Sequence, residues 1–398
     1  MDIDLLCKVV DNYGDIGVVY RLARALSELP DPPRLRLVVD DLEAFSAIDP
    51  AIDPSLPVQF AHGWAVYPWE GPGVEAAREA FLERPARIVL ECFACGRPDW
   101  LEDLLFEDSL FDPAGGADCL IVDLEFLSAE PYAVEFHRMP SLTRSKLVRK
   151  AMFLPGFEPG TGGLIMDGSF ASALLRSSAE PERSALRDGI LARLGGRPGG
   201  LAEDSSSRFW TLIFSYERDY SRIVADLASF ASSRPLLALA AAGRSQDCFL
   251  RAWEAAGRPF PTLALPFMAQ EAWDEILAAS DFSIVRGEDS WSRAALTGRP
   301  FLWQAYPQEG RYQLVKVKAF LDRLRPHFPG SGFAFLESLH LAFNDRDRDG
   351  IATRGEESLL PALDRYYELA GGFRAFSASL ASGGNLAANL VTFLREIV

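Results

Sequence analysis

Two polar breaks in apolar runs decide the fold of this 398-residue chain: DNYGDIG at residues 11–17 and RGEDS at residues 286–290. The first follows an apolar run over residues 3–10, and the second follows one over residues 282–285. Each has the pattern of a buried strand, a tight turn and a helix start, which is the repeating unit of a parallel α/β sheet. Ligands of such sheets bind beyond the carboxyl ends of the strands, where these turns lie. The pattern therefore predicts two α/β domains that face each other across a cleft.

Strand and helix patterns alternate along the rest of the chain in the same way. A Gly/Pro-rich stretch at residues 155–163 and a Gly/Ser-rich stretch at residues 195–207 interrupt the alternation, and they indicate a domain boundary near residues 170–205. We predict an N-terminal Rossmann-like domain over residues 1–185 and a C-terminal Rossmann-like domain over residues 206–375. Residues 376–398 are predicted to form a C-terminal helix that packs back toward the N-terminal domain. The predicted strands cover residues 3–10, 35–39, 87–91, 119–122, 209–214, 236–241, 262–265, 282–285 and 300–303. The main predicted helices cover residues 18–29, 221–232, 248–256, 270–280, 290–296, 361–369 and 386–397.

Composition excludes several classes of function. The net charge of −16 argues against a nucleic-acid partner, because non-specific nucleic-acid binding relies on basic surface. No apolar run approaches the ~20 residues of a membrane span, and the acidic start lacks the basic residues of a signal peptide. We therefore expect a cytoplasmic protein without a membrane partner. The five cysteines include one isolated C-x-x-C pair, Cys92 and Cys95, and are expected to be reduced, mostly buried thiols.

The first polar turn carries two candidate catalytic carboxylates, Asp11 and Asp15. At the carboxyl end of a strand, either one can accept a proton or hold a cationic group. Gly14 and Gly17 would let the backbone come close to a ligand. The competing interpretation is that Asp15 only caps a helix over residues 16–29, and residue types leave the two interpretations equal.

The second polar turn has the features of an anion site. Asp289 and Ser290 are suitable N-caps for a helix over residues 291–296, whose free N–H groups and dipole favour a phosphate. Arg286 adds a charge-assisted contact, and Glu288 is a suitable acceptor for sugar hydroxyls. The alternative is an ordinary capped helix with a surface salt bridge. We favour the functional interpretation because the turn is unusually polar for its apolar setting.

Two weaker features lie elsewhere in the second half. Phe214 and Tyr216 close the strand at residues 209–214, where one of them can stack on a nucleobase or simply belong to the core. Residues 345–356 fit the calcium-loop pattern D-x-D-x-D-G-x5-E, but arginines interrupt the single copy. A charged surface loop is the preferred interpretation there.

The chain resembles the EarP family, the bacterial protein-arginine rhamnosyltransferases that modify elongation factor P. Its matching motifs run in family order over residues 1–315, and two stretches, residues 195–207 and 345–357, look like insertions. Asp123 stands where a more neutral residue is expected. The matching motifs are DNYGDIGV (11–18), ECFAC (91–95) with Pro98, LEFLSAE (124–130), residues 155–163, RGEDS (286–290), GRPF (298–301) and YPQE (306–309).

The resemblance implies a GT-B glycosyltransferase with two Rossmann-like domains. The C-terminal domain would bind dTDP-β-L-rhamnose, and the N-terminal domain would receive an arginine at a loop tip of elongation factor P. The reaction would invert the anomeric centre without a metal or any cofactor besides the donor. By motif, Asp15 is the expected base beside Asp11, and Glu288 is a third candidate catalytic carboxylate. The donor pocket would comprise Phe214, Tyr216, Gln270, Arg286, Glu288, Asp289 and Ser290.

Two other classes of function stay open on the sequence. A GT-B transferase or sugar-nucleotide-binding protein with a small-molecule acceptor would keep the donor motifs but need an acceptor pocket in place of a protein-docking surface. A calcium-regulated binding protein would depend only on the pattern at residues 345–356. A dehydrogenase is disfavoured because no G-x-G-x-x-G follows a strand.

Overall fold

The computed structural model describes residues 1–10, 13–106, 118–195, 205–328, 332–346 and 358–397. The chain divides into two compact units: unit 1 comprises Met1–Gly168 and Gly383–Val398, and unit 2 comprises Ser169–Ser382. Within the described part of the chain, every helix is too short or too polar to cross a bilayer.

The elements alternate as the sequence predicts. The strands are β1 (Asp2–Cys7), β2 (Arg34–Val39), β3 (Gln59–Ala61), β4 (Trp64–Pro68), β5 (Ile88–Cys92), β6 (Cys119–Leu124), β7 (Pro140–Ser141), β8 (Val148–Phe153), β9 (Phe209–Ile213), β10 (Leu236–Ala240), β11 (Thr262–Ala264), β12 (Phe282–Arg286) and β13 (Phe301–Gln304). The helices are α1 (Gly14–Ser27), α2 (Leu42–Ile48), α3 (Val74–Glu83), α4 (Asp99–Phe106), α5 (Tyr132–Glu135), α6 (Gly168–Ser177), α7 (Glu182–Arg193), α8 (Ser221–Ala231), α9 (Arg244–Ala255), α10 (Gln270–Ala279), α11 (Glu288–Thr297), α12 (Gln313–Leu324), α13 (Gly332–Asn344), α14 (Leu360–Asp364), α15 (Tyr366–Ser382) and α16 (Leu386–Ile397). Three short 3₁₀ turns complete the described elements, at Ser205–Ser207, Glu309–Arg311 and Arg325–His327.

Unit 1 is built on a sheet of eight described strands in the order β3-β4-β2-β1-β5-β6-β8-β7. The strands pair in parallel except at the two edges, where β3 and β7 run antiparallel to their neighbours. Starting from β1, the chain first adds strands on one side and then crosses to β5 on the other. The strand order therefore reverses between β1 and β5, and a ligand site of a Rossmann-like sheet is expected at their carboxyl ends.

Helices cover both faces of this sheet, which explains why its inner strands are continuous apolar runs. One face buries Leu5 and Leu90 against Ile16 of α1 and Leu390 of α16. The other face buries Val89 against Leu101 of α4. The C-terminal helix α16 thus completes the core of unit 1, where it packs against α1.

Unit 2 contains a sheet of five described strands, all parallel, in the order β11-β10-β9-β12-β13. Its strand order reverses between β9 and β12. Helices α6 and α7 belong to this unit. Helix α7 packs on α10, and its buried Arg187 donates to the Ala279 carbonyl at 2.7 Å. The predicted boundary at residue 185 falls between the limits of α7 (Glu182–Arg193).

Both units confirm the predicted Rossmann-like α/β class, although some element ends differ. The strand expected over residues 3–10 ends at Cys7, and Val10 is 84% exposed. An apolar side chain fits a strand pattern wherever it lies, so the sequence could not show that this one leaves the core.

Candidate active site

The first polar turn holds Asp15 in the first turn of α1. The helix begins at Gly14 and its N-cap is Tyr13, whose side chain makes no capping hydrogen bond within the described helix. The interpretation of Asp15 as the cap of a helix over residues 16–29 is therefore wrong: the chain enters the helix two residues earlier. The carboxylate is only 5% exposed, and its Oδ2 accepts a hydrogen bond from the Val10 N–H at 2.8 Å.

The other residues predicted for this turn have different positions. Asp11 lies outside the described residues. Gly14 is exposed at the start of α1, whereas Gly17 is buried within it and donates its N–H to the Tyr13 carbonyl at 3.0 Å. Of these two glycines, Gly14 is the one that a ligand can reach.

Three cysteine thiols, those of Cys7, Cys92 and Cys95, lie close to one another near Asp15. Burial raises the pKa values of Cys7 and Cys92 above their usual range. The neighbouring thiols and the charge of Asp15 raise these pKa values further. Burial also raises the pKa of Cys95 to about 12, and its Sγ donates to the Leu6 carbonyl at 3.4 Å. All five cysteines are free thiols, as predicted. The thiols around Asp15 are therefore kept in their neutral form.

A buried ion network lies along β5, β6 and β8 in the same unit. Glu91 pairs with Arg97 and with Lys150, whose Nζ lies 2.8 Å from the Glu91 Oε2. Lys150 also lies 2.9 Å from Asp123, the residue that departs from the family pattern. Burial, followed by the interaction with the neighbouring Asp123 carboxyl group, raises the pKa of Glu91. The positive charge of Lys150 thus compensates the negative charge of Asp123.

The second polar turn begins its helix earlier than predicted. Gly287 is the N-cap of α11 with φ +68°, and the helix starts at Glu288. Asp289 and Ser290 are therefore residues of the first turn, and their interpretation as N-caps is wrong. A glycine reaches this positive φ without strain, so the chain turns sharply and enters the helix at once. Because the N-cap is a glycine, no N-cap side chain accepts a hydrogen bond from the first turn of α11.

Arg286 joins this turn to the aromatic residues that follow β9. Its guanidinium lies 4.9 Å from the ring centroid of Phe214 and 4.8 Å from that of Tyr216. The Phe214 N–H donates to the Ile284 carbonyl at 2.8 Å, and the Tyr216 N–H donates to Gln304 Oε1 at 3.1 Å. The structure thus brings together three predicted donor-site residues at the point where the strand order of unit 2 reverses.

Gln270 begins α10 near the same aromatic group. Its Oε1 is buried and has no hydrogen-bond partner among the described residues. One turn later, Trp273 packs edge-on against Phe214, with ring centroids 4.8 Å apart. Sequence reasoning missed Trp273 and also Tyr306, a 66% exposed ring 5.4 Å from that of Tyr216.

The calcium-loop pattern falls mostly outside the described residues, which omit 347–357. Asp345, its first position, is described and pairs with Arg311 at 2.7 Å. Across the described ranges, no group of three or more His, Cys, Asp or Glu side chains is arranged to hold a metal ion.

The chain is similar in sequence to known members of one protein family. The model of the elongation factor P (EF-P) rhamnosyltransferase family, EarP, matches residues 3–395. The protein-arginine rhamnosyltransferase of Shewanella oneidensis is 31% identical over 99% of this chain and 97% of its own length. The protein-arginine rhamnosyltransferase of Pseudomonas aeruginosa is 33% identical over 91% of this chain and 92% of its own length.

A solved structure on EarP-mediated arginine glycosylation of translation elongation factor EF-P matches the whole of both chains. The identity is 24% and the TM-score is 0.57, which supports the fold and confirms the predicted GT-B class. This glycosyltransferase chain belongs to the EarP family of elongation factor P rhamnosyltransferases.

Proposed function

We propose that the chain transfers L-rhamnose from dTDP-β-L-rhamnose to an arginine side chain of elongation factor P, with inversion at the anomeric carbon. The observation that carries the proposal is the opposite chemistry of the two turns at which the strand orders reverse. Unit 1 places a buried carboxylate there, and unit 2 places an arginine beside aromatic rings and the N-terminus of α11. A cationic acceptor and an anionic donor need these two environments.

Arg286 and the first turn of α11 fit the diphosphate of the donor. Helix N-terminal N–H groups bind phosphate, and a guanidinium adds a charge-assisted contact. Asp289 and Ser290 would contribute backbone N–H groups from this turn. The Oδ1 of Asp289 lies 3.9 Å from the Nε of Arg293. The positive charge of Arg293 offsets the repulsion between the Asp289 carboxylate and a phosphate. These groups would stabilise the negative charge that develops on the leaving dTDP.

The aromatic side of the same pocket fits the nucleoside and the sugar. Phe214 and Tyr216 present ring faces beside Arg286 on which a thymine can stack. The unpartnered Oε1 of Gln270 would accept the N3–H of that base. Glu288, the first residue of α11, would accept hydrogen bonds from the rhamnose hydroxyls.

Asp15 is the proposed base at the acceptor. An arginine guanidinium stays protonated in water and is a poor nucleophile. As one guanidinium nitrogen forms its bond to C1 of rhamnose, the bond from C1 to the diphosphate oxygen breaks and dTDP leaves. The attacking nitrogen gives one proton to the Asp15 carboxylate, and the product guanidinium keeps its positive charge. Asp11 would help to orient the acceptor, and Glu288 is the alternative base.

A donor-cleavage assay separates this function from a small-molecule transferase. Release of dTDP from dTDP-rhamnose is followed with elongation factor P, with free L-arginine, and with neither. We expect release to depend on elongation factor P and the product to carry an α-linked rhamnose by NMR. Release that is equally fast with a small acceptor would favour the alternative function, and a β-linked product would contradict inversion.

A further inference from the structure

Two phenylalanines lie at the edge of unit 1 that carries Asp15. Phe93 directly follows β5 and Phe126 follows β6, while Asp15 follows β1. Because β1, β5 and β6 are neighbours in a parallel sheet, the segments that follow them lie side by side at its carboxyl edge. The charge of Asp15 contributes to the raised pKa of Cys92, the residue next to Phe93, so the carboxylate lies within electrostatic reach of that segment.

The two rings stack on each other. Their centroids are 4.7 Å apart and their planes differ by 20°. Phe93 is half-buried against the core of unit 1, and its N–H donates to the Leu124 carbonyl at 2.7 Å, which ties the two segments together. Phe126 remains 44% exposed, so burial does not explain an aromatic side chain at that position.

The backbone at Phe93 is also unusual. Phe93 and Ala94 have φ values of +61° and +52°, in the left-handed region that favours glycine. A residue other than glycine is strained in this region, and such strain persists mainly at functional sites. Glycine would relieve the strain but would remove the ring that stacks on Phe126.

A flat cation fits an exposed aromatic face beside a carboxylate. The face of a phenyl ring is electronegative, so it attracts a guanidinium that lies parallel to it and repels an anion. A guanidinium in that position still has N–H groups at its edge for a carboxylate. The chain uses the same contact in unit 2, where the Arg286 guanidinium lies over two aromatic rings.

We propose that Phe93 and Phe126 form an aromatic platform that positions the guanidinium of the acceptor arginine in front of Asp15. The proposal rests on the proposed function and adds positioning residues to it. The platform holds the plane of the guanidinium, and Asp15 receives the proton from its edge. Since the contact is made before and during attack, it contributes mainly to acceptor binding.

Substitutions of the exposed ring test the platform. Phe126→Leu keeps an apolar side chain but removes the aromatic face, whereas Phe126→Trp keeps that face. A cation–π contact contributes about 0.5–2 kcal/mol. Its loss in Phe126→Leu should therefore raise the KM for elongation factor P roughly 2- to 30-fold. We expect kcat and dTDP affinity to stay near wild type, and Phe126→Trp to restore the KM.

The matched control is Phe60→Leu, on the edge strand β3 of the same sheet, where the ring is 77% exposed. It should leave the KM unchanged. The platform would be overturned by a wild-type KM in Phe126→Leu, or by an equal rise in KM in the Leu and Trp variants. In either case, transfer by the wild-type protein would still support the proposed function. Failure of the wild-type protein to modify elongation factor P would reject both.

Discussion

The parallel cores of the two sheets share one strand order, but the two units carry opposite chemistry at corresponding places. In each unit the strand order reverses beside the first strand, between β1 and β5 in unit 1 and between β9 and β12 in unit 2. Unit 1 presents a buried carboxylate there among uncharged thiols, whereas unit 2 presents Arg286 between two aromatic rings. The fold thus determines where a ligand can bind, and a few side chains determine the sign of charge that it must carry.

The largest expected effect comes from removing the proposed base in unit 1. Asp15→Asn keeps the shape of the side chain and an oxygen that can accept from the Val10 N–H, but it cannot take a proton. We expect transfer to elongation factor P to fall by about 10²- to 10⁴-fold in a single-turnover assay, since this is the usual contribution of general-base catalysis.

The controls for this variant are its affinity for dTDP and its melting curve. The affinity should stay near wild type because the change lies in unit 1, away from the proposed donor residues of unit 2. The melting curve should stay near wild type because asparagine keeps the shape of the side chain and an acceptor for the Val10 N–H. Near-normal turnover in Asp15→Asn would show that the carboxylate has no catalytic role. The search for a base would then move to Asp11 or Glu288.

The next effect belongs to unit 2. Arg286→Ala removes the cation that we place at the diphosphate, and we expect dTDP binding to weaken by roughly 1–3 kcal/mol in calorimetry. Arg258→Ala is the matched control, because Arg258 is an exposed arginine of the same unit whose guanidinium contacts the nearby Glu254 and the ring of Trp253. Unchanged affinity in Arg286→Ala would contradict the placement of the donor.

Much of this comparison could be predicted from the sequence. The apolar runs and their polar ends locate both turns, and the structure brings Arg286 together with Phe214 and Tyr216 although they are distant in the chain. The sequence pattern places the start of α11 too late because it favours Asp289 or Ser290 as the N-cap, whereas the backbone turns into the helix at Gly287 with φ +68°. The stack of Phe93 on Phe126 was missed because it depends on which strands are neighbours.

Helix α15 shows another limit of sequence reasoning. A helix was predicted over residues 361–369, yet α14 ends at Asp364 and α15 continues to Ser382. Gly371 and Gly372 appear in the sequence as helix breakers. In the structure a Cβ at Gly372 would collide with the ring of Phe328, so this glycine permits close packing within a helix.

Acid should destabilise both units through one histidine each, the fully buried His340 in unit 2 and the half-buried His137 in unit 1. Burial lowers the pKa of His340 in unit 2 and of His137 in unit 1 to about 4. In the unfolded chain a histidine titrates near 6.5, so between pH 6.5 and 4 only the unfolded state gains the proton. The free energy of unfolding should therefore fall as the pH falls through this window and be insensitive to these groups above it.

Chemical denaturation at several pH values measures this effect. For the fully buried His340 we expect a limiting slope of about 1.4 kcal/mol per pH unit, and a shallower slope in His340→Gln. The side chain of His340 donates from Nδ1 to the Leu336 carbonyl at 3.0 Å, and glutamine keeps an N–H donor. An identical slope in wild type and variant would show that His340 does not stay neutral in the folded state.

The smallest expected effect is that of chelation. Arg286 and the N-terminus of α11 would meet the diphosphate without a metal, so EDTA should leave transfer unchanged. A loss of transfer that Ca²⁺ or Mg²⁺ restores would contradict this expectation and direct attention to residues 345–356.

The most direct test of the central claim is the mass of elongation factor P after incubation with the chain and dTDP-rhamnose. We expect a gain of one deoxyhexosyl group, which fragmentation places on an arginine side chain. The gain should disappear in Asp15→Asn and require a higher donor concentration in Arg286→Ala. An unmodified elongation factor P, or a sugar on a residue other than arginine, would contradict the account.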